Sequence, residues 1–237
     1  MDCIISFPTI EYFSKIYSEE ILAVAENFKG DFNNMVKDEK ITNINNYSGR
    51  LIGFDIPILL SPKSGLSDKT IVILGESPLR EKSLQGTIVA LPFGIGYKDG
   101  YCRRCDRYTL TIQNIIDEGY NVYVTDIIKI WTDRYIDKSK LKVSAGDITM
   151  LQDELDLLKN NNCNVVGIVC WGKTSFNAIK NIVQDTLYVP HPSQMNVNYW
   201  KKTYNVDGTS ESIVKKATKL ILDSIVKRVS DDVRKSS

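Results

Sequence analysis

Short apolar runs alternate along this chain with longer stretches whose apolar residues recur every three or four positions. The clearest run is Ile71-Val72-Ile73-Leu74, bounded by Thr70 and Gly75, which reads as a strand buried on both faces. Comparable runs at 121–126, 165–170 and 186–189 predict three more strands. Helical spacing covers 107–118, 146–160 (Ile148, Leu151, Leu155 and Leu158 on one face), 173–183 and 210–227. Strands that alternate with helices imply a parallel sheet with right-handed crossovers.

The first third of the chain is less regular. Tyr12, Phe13, Ile16, Ile21, Leu22, Val24, Ala25 and Phe28 are spaced as on an amphipathic helix over 9–29, with Gly30 as its stop. Residues 31–68 are mostly polar. They are interrupted at 51–60 by an apolar stretch that predicts an extra strand or a packed extended segment, with Pro57 arguing against a central strand. An irregular stretch is expected from the turn after the first strand to Cys105. The domain organisation expected is an N-terminal helical and extended segment (1–69) packed on the same domain, a core (70–229) and a polar tail (230–237).

Composition adds mainly exclusions. The chain has 237 residues, 30 basic and 29 acidic, for a formal charge of +1, so any nucleic-acid surface must be a local patch rather than an overall basic field. No apolar segment reaches the length of a membrane span and the start lacks a basic leader, so a cytoplasmic chain is expected. Five cysteines, an odd and scattered set, do not form a secreted disulfide framework. Cys102 and Cys105 have metal-ligand spacing, but a metal site needs two further ligands. An unliganded pair is expected, with no metal and no cofactor.

The candidate chemistry lies where two apolar runs end in polar turns: Gly75-Glu76-Ser77-Pro78-Leu79-Arg80 after the first strand, and Pro190-His191-Pro192-Ser193-Gln194-Met195 after the last. In open α/β sheets ligands bind beyond the carboxyl ends of the strands. Together the two turns resemble the paired active-site motifs of the uracil-DNA glycosylase superfamily, a Gly-Gln/Glu-x-Pro turn and a His-Pro-Ser turn. Leu91-Pro92-Phe93-Gly94 and Val169-Cys170-Trp171-Gly172 match that pattern between them, and the resemblance covers roughly residues 70 to 205. It implies a three-layer α/β/α fold with a four-stranded parallel sheet, and a monofunctional DNA glycosylase acting as a monomer on DNA.

Breaking an N-glycosidic bond requires countering positive charge on the sugar, stabilising the departing base anion, placing a water and holding the base outside the duplex. By resemblance, Glu76 places the water or counters the sugar's charge, the alternative being a carboxylate that accepts backbone N–H bonds in a tight turn. Ser77 stands where the best-known uracil enzymes have a water-activating Asp, which leaves the water's partner open. By the same resemblance His191, the only histidine, is aimed at O2 of the base. Phe93 resembles the aromatic on which the base stacks, Leu79 lies where some relatives put a Tyr against C5, and Ser193 resembles a phosphate-gripping serine. Met195 falls where relatives insert a wedge into the gap left by the flipped nucleotide. For Phe93 and Met195 the alternative is core packing. Arg80, Lys173, Lys201 and Lys202 are expected on the DNA-backbone face, the start of the helix at Lys173 favouring phosphate.

Asp126 is the informative departure, because uracil-excising relatives have an Asn there. The amide of an Asn opposes the N4 amino group of cytosine, whereas a carboxylate accepts from it. A helix- or turn-capping Asp is the alternative. The reading this favours is excision of a modified cytosine, such as glucosylated hydroxymethylcytosine in phage DNA, as antiviral defence. Uracil or deaminated-base repair is the second reading, and a non-catalytic DNA-binding module of the same fold is the third.

Overall fold

A computed structural model describes residues 2–4, 40–42, 51–55, 57–62, 64–77, 87–90, 92–94, 106–128, 130–132, 143–184 and 186–235. Its strands and helices run in the order β1 (Asp2–Ile4), β2 (Lys40–Thr42), β3 (Leu51–Asp55), β4 (Ile58–Ser61), β5 (Lys69–Gly75), β6 (Thr87–Ala90), α1 (Asp106–Asp117), β7 (Asn121–Asp126) and β8 (Ile130–Thr132). They continue with α2 (Ala145–Asn160), β9 (Asn164–Trp171), α3 (Lys173–Ile179), β10 (Thr186–Val189), α4 (Val197–Tyr204) and α5 (Ser210–Lys235). Short 3-10 turns occupy Pro92–Gly94 and Gln194–Asn196. The helix expected over 9–29, and Leu79, Arg80, Cys102 and Cys105, lie outside the described residues.

The fold is α/β. Its main sheet has the order β1-β4-β7-β5-β9-β10; β7, β5, β9 and β10 run parallel, while β4 lies antiparallel to β7 and β1 antiparallel to β4 beyond them. The sheet is therefore six-stranded and mixed, where four parallel strands were expected. The extra inner strand is possible because Pro57 precedes β4 instead of lying within it, so its missing N–H removes no ladder bond, and Ile58, Leu59 and Leu60 are free to bury. A second sheet, β2-β6-β3-β8, draws on 40–42, 51–55 and 130–132 and, through 87–90, on part of the stretch expected to be irregular.

Alternation along β5 builds two cores. Ile71 and Ile73 face Ile112, Ile115 and Ile116 of α1 and Ile213, Ala217, Ile221 and Ile225 of α5. Val72 and Leu74 face Leu151 and Leu158 of α2 and Ile179 of α3. Helices thus cover both faces of the sheet, and each of these buried branched side chains contributes about 1.5–3 kcal/mol. A capping box starts α2: the Ser144 hydroxyl accepts from Asp147 N at 3.2 Å while Ser144 N donates to Asp147 Oδ2 at 2.7 Å. Two expectations are corrected at the C-terminal end. The tail at 230–237 is helical as far as Lys235, since no Gly or Pro interrupts α5, and α3 stops at Ile179 rather than 183. α4 answers to no sequence expectation.

Candidate functional site

Parallel register brings the ends of β5, β7, β9 and β10 to one edge. Gly75 pairs with Asp126, Leu74 with Cys170, and Trp171 with Val189. Beyond β5 the two turns stay joined, as Ile127 N donates to Gly75 O at 3.1 Å and Ile128 N to Glu76 O at 3.0 Å. Glu76 and Ser77 are half-buried there. The Glu76 carboxylate makes no hydrogen bond or ion pair among the described residues, and the residues after Ser77 that would complete a tight turn around it lie outside them.

Asp126, only 3% exposed, and Phe93 share the space that a side chain at position 75 would fill. A Cβ on Gly75 would overlap Asp126 Oδ1 and fall 2.6 Å from Phe93 Cζ. Glycine is needed here for close approach. Phe93 itself is half-buried with φ 60° and ψ 13°, a left-handed conformation costly for a bulky residue. Its ring is braced by Tyr108 (centroids 4.9 Å apart) and edge-on by Trp171 (5.0 Å), and His191 stands 6.2 Å away. One aromatic ring therefore has a buried carboxylate at its tip and an imidazole beside it.

His191 is held from both sides of its backbone. Pro190 and Pro192 are buried, and the His191 carbonyl accepts from Trp200 Nε1 at 3.0 Å and Asn196 Nδ2 at 3.1 Å. Trp200, fully buried on α4, explains what that unanticipated helix does: it anchors the histidine turn. The imidazole Nδ1 lies 3.0 Å from the Tyr108 hydroxyl. Its Nε2 lies over Gly172, where a Cβ would approach to 2.9 Å and where φ is 130°.

Other predicted residues distribute around this cluster. Lys173 is exposed at the start of α3, and Lys201 and Lys202 are exposed in the last turn of α4. The Lys201 stem passes over Gly208, where a Cβ would come within 3.2 Å of its Cδ. Ser193 is half-buried and its carbonyl accepts from Asn196 N at 3.1 Å. Met195 is 89% exposed on the 3-10 turn after the histidine, so the core-packing alternative for it is excluded.

Three residues that sequence reading did not single out belong to the site. Tyr108 and Trp171 sit at positions whose apolar spacing reads as ordinary core. Trp171 is fully buried and its Nε1 has no partner among the described residues. Arg107, 7% exposed, donates through Nε to Ser210 Oγ (3.0 Å) and through Nη2 to Gln194 Oε1 (2.9 Å). This ties the loop after His191 to α1 and α5. Cys170 points into the opposite core, where burial pushes its thiol up to about 12 despite a hydrogen bond with Ser175; it is an inert packing group.

Comparisons with protein-family models, with curated proteins and with solved structures return no match for this chain. What the arrangement can do chemically follows from its parts: an aromatic ring, a buried carboxylate at its tip, an imidazole beside it and a half-buried carboxylate on the adjoining turn.

Proposed function

We propose that the chain is a monofunctional DNA glycosylase of the uracil-DNA glycosylase type, acting on a modified cytosine such as glucosylated hydroxymethylcytosine. The observation that carries this reading is the surrounding of the Phe93 ring: Asp126 at its Cζ end and His191 at 6.2 Å. Three residues that the sequence motifs had singled out separately, far apart along the chain, meet at one ring.

In this reading the extruded base stacks against Phe93, a contact worth ~1–3 kcal/mol. Asp126 accepts from the N4 amino group. As the N1–C1′ bond breaks, its electron pair leaves with the base, and His191 donates a hydrogen bond to the charge that collects on O2. Glu76, with its carboxylate unengaged, faces the positive charge at C1′ or orients the water that adds there. The added water loses its proton to solvent, and the base anion takes one up. Exposed Met195 supports the wedge role, and Ser193, Lys173 and Lys202 supply polar contacts to the phosphate backbone.

The test is an abasic-site assay under single-turnover conditions. Duplexes carry uracil, cytosine, hydroxymethylcytosine or glucosylated hydroxymethylcytosine, and wild type is compared with His191→Ala. Release of a cytosine-type base, lost in His191→Ala without loss of DNA affinity, is the expected result. Release of uracil alone would transfer the assignment to repair of deaminated bases. Binding without release of any base would leave a DNA-binding module.

A further inference from the structure

We infer that Arg107 is a positioning residue for Met195: by holding the Gln194 side chain it fixes the turn from which that methionine projects. Met195 is 89% exposed, and both residues beside it are tied down. On one side the Gln194 carboxamide accepts from Arg107 Nη2 at 2.9 Å. On the other, Asn196 donates through Nδ2 to the His191 carbonyl at 3.1 Å. The turn's own backbone bonds, Asn196 N to Ser193 O at 3.1 Å and Val197 N to Gln194 O, complete the bracket. An exposed apolar side chain is thus held out from a turn fastened at both ends. The Asn196 bond reaches back only five residues, whereas the Arg107 bond spans 87. It is the Arg107 bond that fixes Gln194 to a separate element, α1.

Packing alone does not call for arginine at this position. The guanidinium is 7% exposed, and it bonds only neutral oxygens, Ser210 Oγ at 3.0 Å and Gln194 Oε1, with no carboxylate paired to it among the described residues. Burying a charge against neutral partners costs stability, and an apolar side chain of similar volume relieves that cost. What the planar fork adds is reach to two elements at once, the 3-10 turn and the start of α5. Its neighbour Tyr108 packs on Phe93 at 4.9 Å. The first turn of α1 therefore touches the base pocket with one residue and the Met195 turn with the other. A wedge fills the gap left by an extruded nucleotide most effectively when it is presented in place, because ordering it on binding would use up part of the interaction free energy. That wedge role rests on the glycosylase reading. The fixing of the turn does not.

The test compares Arg107→Met with wild type by thermal melts, by amide hydrogen exchange at Asn196 and Val197, and by single-turnover base release from duplexes. The melting temperature should hold or rise. Exchange at the two amides should speed up about ten- to hundredfold, the equivalent of one hydrogen bond to a charged group. Release from any accepted duplex should fall by about ten- to hundredfold, as should release by Met195→Ala. The double variant Arg107→Met/Met195→Ala should fall no further than Met195→Ala alone, because both changes act through one side chain. Gln194→Ala, at an exposed position, removes the same bond from its other end without touching α1. It should reproduce the exchange and rate changes, and it decides the matter if Arg107→Met does not fold. Unchanged exchange in Gln194→Ala, or losses that add in the double variant, overturns the inference even if bases are released. Faster exchange with no base released from any duplex upholds the fixing of the turn and removes the glycosylase reading.

Discussion

Replacing Gly75 by alanine tests the packing on which the whole site depends. The new Cβ would lie 2.6 Å from Phe93 Cζ and within the Asp126 carboxylate, whereas carbon atoms in contact sit about 3.5–4.0 Å apart. The Phe93 ring must then retreat by about 1 Å. It has nowhere to go without cost, because Trp171 and Tyr108 already stand against it at 5.0 and 4.9 Å. Overpacking of this kind costs about 1–3 kcal/mol, which for a chain of this length lowers the melting temperature by roughly 2–12 °C. A displacement of that size in a catalytic group costs up to about 10²-fold in rate. Activity should thus fall by more than the loss of folded protein accounts for.

The assay pairs thermal melts with single-turnover base release, using Gly119→Ala as the reference. Gly119 has φ 87° with no atom within 4 Å of a built Cβ, and it closes α1 far from the site's edge, its N–H donating to Ile116 O at 2.9 Å. That substitution strains the backbone by about 1 kcal/mol and should leave the rate of folded enzyme unchanged. If Gly75→Ala melted and reacted as wild type does, Phe93 and Asp126 could not share the space over Gly75, and the proposed base pocket would be wrong.

Two further outcomes are expected. Asp126→Asn should move preference from a cytosine-type base toward uracil by ~1–3 kcal/mol, the worth of one base-edge contact, read as the ratio of abasic-site yields on matched duplexes; an unchanged ratio would make Asp126 structural. Asp207, which accepts from the Ser212 hydroxyl and from Thr209 N and Oγ1 ahead of α5, is held down to about 2 by these bonds, Ser212 foremost, from an ordinary 3.8. A depressed carboxylate stabilises the fold above its unfolded value and loses that effect as pH falls through the folded one. Urea melts of Asp207→Asn should therefore show it less stable than wild type above about pH 4, the gap closing toward pH 2; a constant gap would contradict a stabilising role for this carboxylate.

How far the sequence disclosed this arrangement depended on the signal each residue leaves. The strands at 121–126 and 186–189 have the bounds their apolar runs predict; the first is buried along its whole length, the second, at the sheet edge, only at Val189. β4 was obscured by Pro57, which warns against a strand only when it lies inside one. Phe93 and His191 were legible through motifs, yet the positive φ of Phe93 leaves no trace in a residue type that normally avoids it. Tyr108 and Trp171 were hidden for another reason: each occupies an apolar position of its helix or strand, and periodicity does not distinguish a ring that packs from one that also borders a site. α4 is short, and its key contact, from Trp200 to the His191 carbonyl, is tertiary.

Several costly features among the described residues gather at one edge of the sheet. Phe93 is held in a left-handed conformation at about 1–3 kcal/mol. Trp171, fully buried, keeps an indole N–H with no partner among the described residues, a loss of about 1–3 kcal/mol. The Arg107 guanidinium is buried on neutral partners, Ser210 and Gln194, with Nη1 unpaired among the described residues. Elsewhere β5 buries six consecutive residues and α2 starts in a complete capping box, although α2 also buries the Glu154 carboxylate, which accepts from Thr125 Oγ1 at 3.0 Å. Fold stability alone would remove such defects, since a glycine at 93 or an apolar residue at 107 relieves them. Their concentration near Asp126 and His191, two of them at Trp171 and Arg107 where no motif assigned a role, supports the proposal that this edge is the functional one.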